Sequence, residues 1–150
     1  MKIFITVGTT KFDSLIEFLD NNLDTSYDVL FQISNGTYIP KNFNYILYSD
    51  DINSLYDEYD YIITHAGSGT IYKLLELGKK FITVPNLERV DHHQKDIANF
   101  VHKNLYAISC IDYKDIIISL KKLPQLKFNY YEKDTFFKAK EVSKFIIDNL

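Results

Sequence analysis

The stretch Tyr61-Ile62-Ile63-Thr64-His65-Ala66-Gly67-Ser68-Gly69-Thr70 runs from an apolar, β-branched segment through two glycines and two small hydroxyls, and Ile71, Leu74 and Leu75 then line one face of a helix closing near Gly78. A buried strand feeding a helix through so short a turn is the repeating unit of parallel sheets with crossover helices. The same rhythm extends in both directions. Upstream, Ile3-Phe4-Ile5-Thr6-Val7 is a buried-strand run that stops at Gly8. Ser14-Leu15-Ile16-Glu17 then reads as a capping box opening a helix with Phe12, Leu15, Ile16, Leu19 and Leu23 on one face. Strands are predicted at Val29–Ser34 and Tyr45–Tyr48, followed by a short helix carrying Ile52, Leu55, Tyr56 and Tyr59. Downstream the pattern predicts a strand at Phe81–Val84, a helix from Asp91 to Lys103, a strand at Tyr106–Cys110, and helices at Asp112–Lys122 and Asp134–Asn149. The fold class is α/β: one domain over residues 1–150, an open, doubly wound, mostly parallel, Rossmann-like sheet of about six strands. Ligands are then expected beyond the carboxyl ends of the strands.

Composition narrows the function classes. The chain of 150 residues, 46% apolar, is long enough to bury a core without staples. Cys110 is the single cysteine, which excludes an internal disulfide framework and thiol-rich metal modules. The net charge of -3, without a long Lys/Arg block, argues against a nucleic-acid partner. No apolar run reaches the roughly 20 residues of a membrane span, and the start lacks a signal-peptide layout, so a cytoplasmic location is expected.

Three loops at the expected ligand edge carry chemistry. In His65-Ala66-Gly67-Ser68-Gly69-Thr70 the glycines allow close backbone approach, and a helix N-terminus favours an anion. His65 adds a donor. The alternative is a tight turn whose glycines serve backbone shape alone. The motif is neither a Walker A loop nor a dinucleotide fingerprint. Val7-Gly8-Thr9-Thr10-Lys11 repeats the chemistry more weakly at the end of the first strand. Pro85-Asn86-Leu87-Glu88-Arg89-Val90-Asp91-His92-His93-Gln94 places an acid, two imidazoles and an amide at a helix start, suited to sugar hydroxyls, with a solvated helix start as the plain alternative. A metal site fits poorly, because adjacent His92 and His93 point about 100° apart on a helix.

Taken together, His65-Ala66-Gly67-Ser68-Gly69-Thr70, Leu77-Gly78-Lys79, Val84-Pro85-Asn86 and Asp91-His92-His93-Gln94 resemble the C-terminal, nucleotide-sugar-binding half of family 28 glycosyltransferases, one half of a GT-B fold. The opening Phe4-Ile5-Thr6-Val7-Gly8-Thr9-Thr10-Lys11-Phe12-Asp13 is similar to the single-domain branch. That branch includes the catalytic subunit of the UDP-N-acetylglucosamine transferase of dolichol-linked glycan synthesis and bacterial subunits of split capsule and exopolysaccharide glycosyltransferases. The resemblance implies that Gly67, Ser68, Gly69 and Thr70 hold the donor diphosphate with help from His65, and that Gly8, Thr9 and Thr10 lie on its other side. By the same resemblance Tyr48 and Ser49 read the uracil edge, while Asn86, His93 and Gln94 meet the donor sugar. Many relatives place a ribose-binding carboxylate three residues after Thr70, where this chain has Lys73; a lysine has donors only. Either Glu76, three residues along the same helix face, substitutes poorly, or backbone holds the ribose, or donor binding is weakened, and Lys73→Glu is expected to tighten UDP binding.

The resemblance also implies a reaction: inverting transfer of a hexose or N-acetylhexosamine from a UDP-sugar to a lipid-linked saccharide acceptor, with no cofactor or bound metal. Support for the departing diphosphate would come from these loops. The base lies in the acceptor half of full-length relatives, absent here, and His93 is the substitute the chain offers. The partner implied is a membrane-associated, acceptor-binding subunit that recruits the chain to the inner face of the membrane. Phe136, Phe137, Val142, Phe145 and Ile146 form an apolar stripe suited either to that docking or to packing on the chain's own sheet. The rival reading is a non-catalytic, nucleotide-binding or stimulatory subunit.

Overall fold

A computed structural model of the chain describes residues 1–88 and 93–133. The strands are β1 (Lys2–Thr6), β2 (Asp28–Gln32), β3 (Asn44–Ile46), β4 (Tyr61–His65), β5 (Lys80–Val84) and β6 (Ile108–Ser109). All pair in parallel in the order β3-β2-β1-β4-β5-β6. The helices are α1 (Asp13–Asn22), α2 (Ile52–Glu58), α3 (Ser68–Glu76), α4 (His93–Lys103) and α5 (Tyr113–Lys122).

Each central strand buries both faces, which is why the strands read as unbroken apolar runs. Ile3, Ile5 and Val7, with Ile63 and Ile82, pack on Leu15, Ile16 and Leu19 of α1 and on Ile116 and Leu120 of α5. Phe4, Ile62 and Phe81 point the other way, onto Tyr56 of α2, Ile71, Leu74 and Leu75 of α3, and Val101 of α4. The strand order reverses between β1 and β4, so the loops leaving them at Gly8 and Gly67 diverge to opposite sides and leave a crevice. Near this edge a polar row interrupts the apolar pattern: Gln32, Thr6, Thr64 and Thr83 stand in register across four strands, all buried.

Several boundaries differ from the sequence reading. Ser14 does not cap α1, which starts at Asp13 with no side-chain cap at Phe12. Its hydroxyl instead donates to the Glu88 carboxylate and meets the Tyr113 hydroxyl at 2.9 Å, so tertiary partners outweigh the local cap. Helix α3 begins at Ser68, three residues earlier than a loop through Thr70 would allow, with Gly67 in extended backbone as its N-cap. The edge strands are shorter than expected: β3 ends at Ile46, beyond which Leu47 and Tyr48 are exposed, although Ser34 N still donates to Leu47 O at 3.0 Å, and β6 spans Ile108–Ser109. The helix predicted at Asp91–Lys103 is described from His93 onward. The helix at 134–149 and its apolar stripe lie outside the described residues. Among the described residues no helix is long and apolar enough to cross a membrane.

Candidate functional site

The end of β1 shapes the first wall of the site. Gly8 has φ +64, in the left-handed region that favours glycine, and its N–H donates to Thr6 Oγ1 at 3.1 Å. Thr6 Oγ1 in turn donates to Gln32 Oε1 at 3.2 Å, and Gln32 Nε2 donates to Gly8 O at 3.2 Å. Three buried or half-buried groups from two strands thus close a ring of bonds that fixes the turn.

His65, the last residue of β4, is buried, with Nδ1 3.3 Å from Thr64 Oγ1. The rest of its ring fills the gap between the two glycine turns. A Cβ added at Gly67 would stand 2.2 Å from His65 Nε2, and one at Gly8 2.6 Å from His65 Cε1. The imidazole is therefore a wedge that sets the spacing of the two loops, and both glycines are needed to admit it. Gly69 differs: a Cβ there would meet no protein atom within 4 Å.

Gly69 faces a cleft of about 300 Å³ lined by Thr6, Gly8, Thr9, Gln32, Tyr48, Ser49, Ile52, Tyr56, Gly69, Thr70 and Lys73. The cleft lies between the ends of β1 and β2 and the helices α2 and α3. One wall is the first turn of α3, whose N–H groups have no intrahelical partners and whose dipole favours an anion. Tyr48 and Ser49 bound the other end, the Tyr48 hydroxyl 3.1 Å from Ser34 Oγ, and Ser49 Oγ accepting from Asp51 N at 3.2 Å. Burial lifts the Tyr56 phenol above its ordinary range, against the pull of the Thr70 hydroxyl, so the cleft keeps a neutral phenol at its side.

Of the residues singled out from sequence, Gly8, Thr9, Tyr48, Ser49, Gly69 and Thr70 meet in this cleft. Thr10, His65, Gly67 and Ser68 stand behind or beside it: Thr10 N donates to Val7 O at 3.4 Å within the turn, and Ser68 is exposed at the start of α3. Glu76 does not line the cleft; its carboxylate pairs with Lys133 at 2.8 Å, which draws it away from a ribose role. Asn86 and Gln94 are buried and bonded to each other's surroundings. Gln94 Oε1 accepts from Asn86 N at 2.9 Å, Asn86 Nδ2 donates to Lys11 O at 3.4 Å, and Asn86 Oδ1 accepts from Glu88 N at 3.1 Å. They tie the β1–α1 loop to the β5–α4 loop at the edge that holds the cleft. His93 is exposed in the first turn of α4.

Sequence reasoning missed Thr6, Gln32, Ile52 and Tyr56 as cleft residues. The signal for two of them is visible in the strands: Thr6 and Gln32 are polar side chains interrupting otherwise apolar runs, each at the last residue of its strand. Among the described residues no group of three or more His, Cys, Asp or Glu side chains is placed to hold a metal ion.

The model of the glycosyltransferase family 28 C-terminal domain matches residues 2–148. The chain is 31% identical over 122 residues to the UDP-N-acetylglucosamine transferase subunit ALG13 of Homo sapiens, covering 72% of this chain and 11% of that protein. The chain thus spans about a tenth of the length of that curated relative. Among solved structures, the NMR solution structure of ALG13 superposes with a TM-score of 0.64 at 19% identity, over 94% of each chain. MurG of Acinetobacter baumannii superposes with a TM-score of 0.61 at 20% identity, over 83% of this chain and 42% of that one. These likenesses show the fold.

Proposed function

The chain belongs to the glycosyltransferase family 28 C-terminal domain family, and on that premise we propose that its cleft binds the UDP portion of a nucleotide sugar. In this reading the diphosphate lies over Gly8, Thr9, Gly69 and Thr70 and the nucleoside lies at Tyr48 and Ser49. One observation carries it. Gly69 sits in the first turn of α3, where alanine is the better helix former by up to about 1 kcal/mol, yet no protein atom crowds it. The room it leaves opens into the cleft.

The chemistry follows from these positions. As the bond between sugar and diphosphate breaks, negative charge grows on the departing oxygen, and fixed N–H groups at the start of α3 stabilise it without reorganising. His65 acts from behind by holding the two loops at their spacing. The sugar extends toward the β5–α4 loop, with His93 as the group that takes the acceptor's proton. The activity we infer is inverting transfer of a hexose or N-acetylhexosamine to a lipid-linked saccharide, carried out with a membrane-associated, acceptor-binding partner that recruits the chain to the inner membrane face. No cofactor or metal is assigned.

A second reading, a non-catalytic subunit that stimulates a catalytic partner without holding the donor, is favoured by the internal bonds of Asn86 and Gln94. One assay separates the two: transfer of labelled sugar from a panel of UDP-sugars to membranes containing the partner, with wild type and Gly69→Asp. The substitution puts a carboxylate into open space, so the fold is kept. Donor binding by this chain requires transfer to fall at least about 100-fold in Gly69→Asp. Undiminished transfer would support mere stimulation.

A further inference from the structure

Among the described residues lining the cleft, Lys73 is the one with a formal charge. It is half-buried on α3, one turn beyond Gly69. Side chains on a helix lean toward its N-terminus and cover the preceding turn. The four-carbon stem of Lys73 therefore runs back over Gly69 and Thr70, toward the amides that face the cleft.

Among the described residues no carboxylate lines the cleft to compensate this charge. The ion pairs among the described residues are Lys2 with Glu58 and Lys133 with Glu76, and neither involves Lys73. Glu76, the acid one turn further along α3, is held by Lys133. An ammonium offers three donors and no acceptor. A neutral ribose hydroxyl is a poor match for it, and a phosphate oxygen is a good one.

Lys73 lines the same cleft as Gly69, Thr70, Tyr48 and Ser49, and its stem leaning back along α3 brings the ammonium toward the helix start. We propose that Lys73 is a cationic clamp on a phosphate of the bound nucleotide, so that the cleft distinguishes a nucleoside phosphate from the nucleoside by charge. This rests on the cleft being the nucleotide site. It also reverses the expectation drawn from sequence alone that a carboxylate at this position tightens UDP binding.

Calorimetric titration of the full chain with UDP, UMP and uridine tests it, using wild type, Lys73→Gln, Lys73→Arg and Lys73→Glu. Lys73→Gln is expected to weaken UDP and UMP alike by about tenfold and to leave uridine unchanged, since a charge-assisted bond is lost only with phosphate present. Lys73→Arg keeps the charge and is expected to stay within about threefold of wild type. Lys73→Glu is expected to be the weakest of the four. Equal UDP affinity in wild type and Lys73→Gln would overturn the clamp alone, as would tighter UDP binding by Lys73→Glu. So would an equal loss with uridine. Absence of saturable UDP binding to wild type would overturn the nucleotide site and the clamp with it.

Discussion

At the scale of single residues, the three glycines of the site do three different jobs, and each predicts a different response to one added methyl. Gly67→Ala forces a Cβ to 2.2 Å from His65 Nε2, an overpacking expected to cost about 1–3 kcal/mol. Urea denaturation should show most of that cost vanish in a His65→Ala background. Gly8→Ala should remain destabilising there, because its φ of +64 strains any L side chain even after the ring is removed. Gly69→Ala meets nothing, so stability should hold or rise by up to about 1 kcal/mol, while UDP binding weakens as the methyl occupies the cleft. A Gly69→Ala variant that is both stable and fully binding would contradict the placement of the ligand. The sequence shows that glycines and small hydroxyls gather here, and it leaves open whether they serve shape or ligand. The answer differs by position, because His65 is a long-range neighbour of Gly8 that no local pattern encodes.

Among the elements, α1 shows how far local signals reach. The capping box at Ser14 is sound as a pattern, yet Glu88 and Tyr113 claim its hydroxyl across the molecule. The acids of the same helix instead hold the long segment between β2 and β3. Asp13 accepts from Thr37 N at 2.9 Å, Thr37 Oγ1 at 2.8 Å and Tyr38 N at 3.1 Å. Buried Asp20 accepts from Tyr38 OH, Lys41 N and Asn42 N. Burial opposes ionisation of Asp13, but the Thr37 and Tyr38 donors together outweigh it and hold its carboxyl below the usual range. A lowered folded value means that the anchor's stabilisation is full above the ordinary carboxylate range and is lost as pH falls through the folded value. The Thr37 and Tyr38 amides should therefore lose their exchange protection selectively at acid pH. In Asp13→Asn protection should be weaker at neutral pH and flatter with acidification; an unchanged acid profile would dismiss the anchor. Where apolar periodicity dominates, as in β1, β4, α3 and β5, the elements were legible from sequence. The short edge strands were not, because only one side of each is paired and their ends are set by the loops around them.

For the molecule as a whole, the order β3-β2-β1-β4-β5-β6 is what joins Gly8 and Gly69, separated by most of the first half of the chain, in one cleft. The α/β class and the ligand edge could be read from alternating strands and helices, whereas the strand order and the polar row of Gln32, Thr6, Thr64 and Thr83 emerge only from tertiary register. The reversal of strand order beside β1 explains why a crevice opens at its end. The central claim is that this crevice holds the diphosphate of UDP, and amide chemical-shift mapping of the full chain during a UDP titration tests it most directly. The expected result is saturable shifts concentrated at Gly8, Thr9, Gly69 and Thr70, with Tyr48 and Ser49 following. Shifts centred elsewhere, or none at saturating UDP, would contradict it.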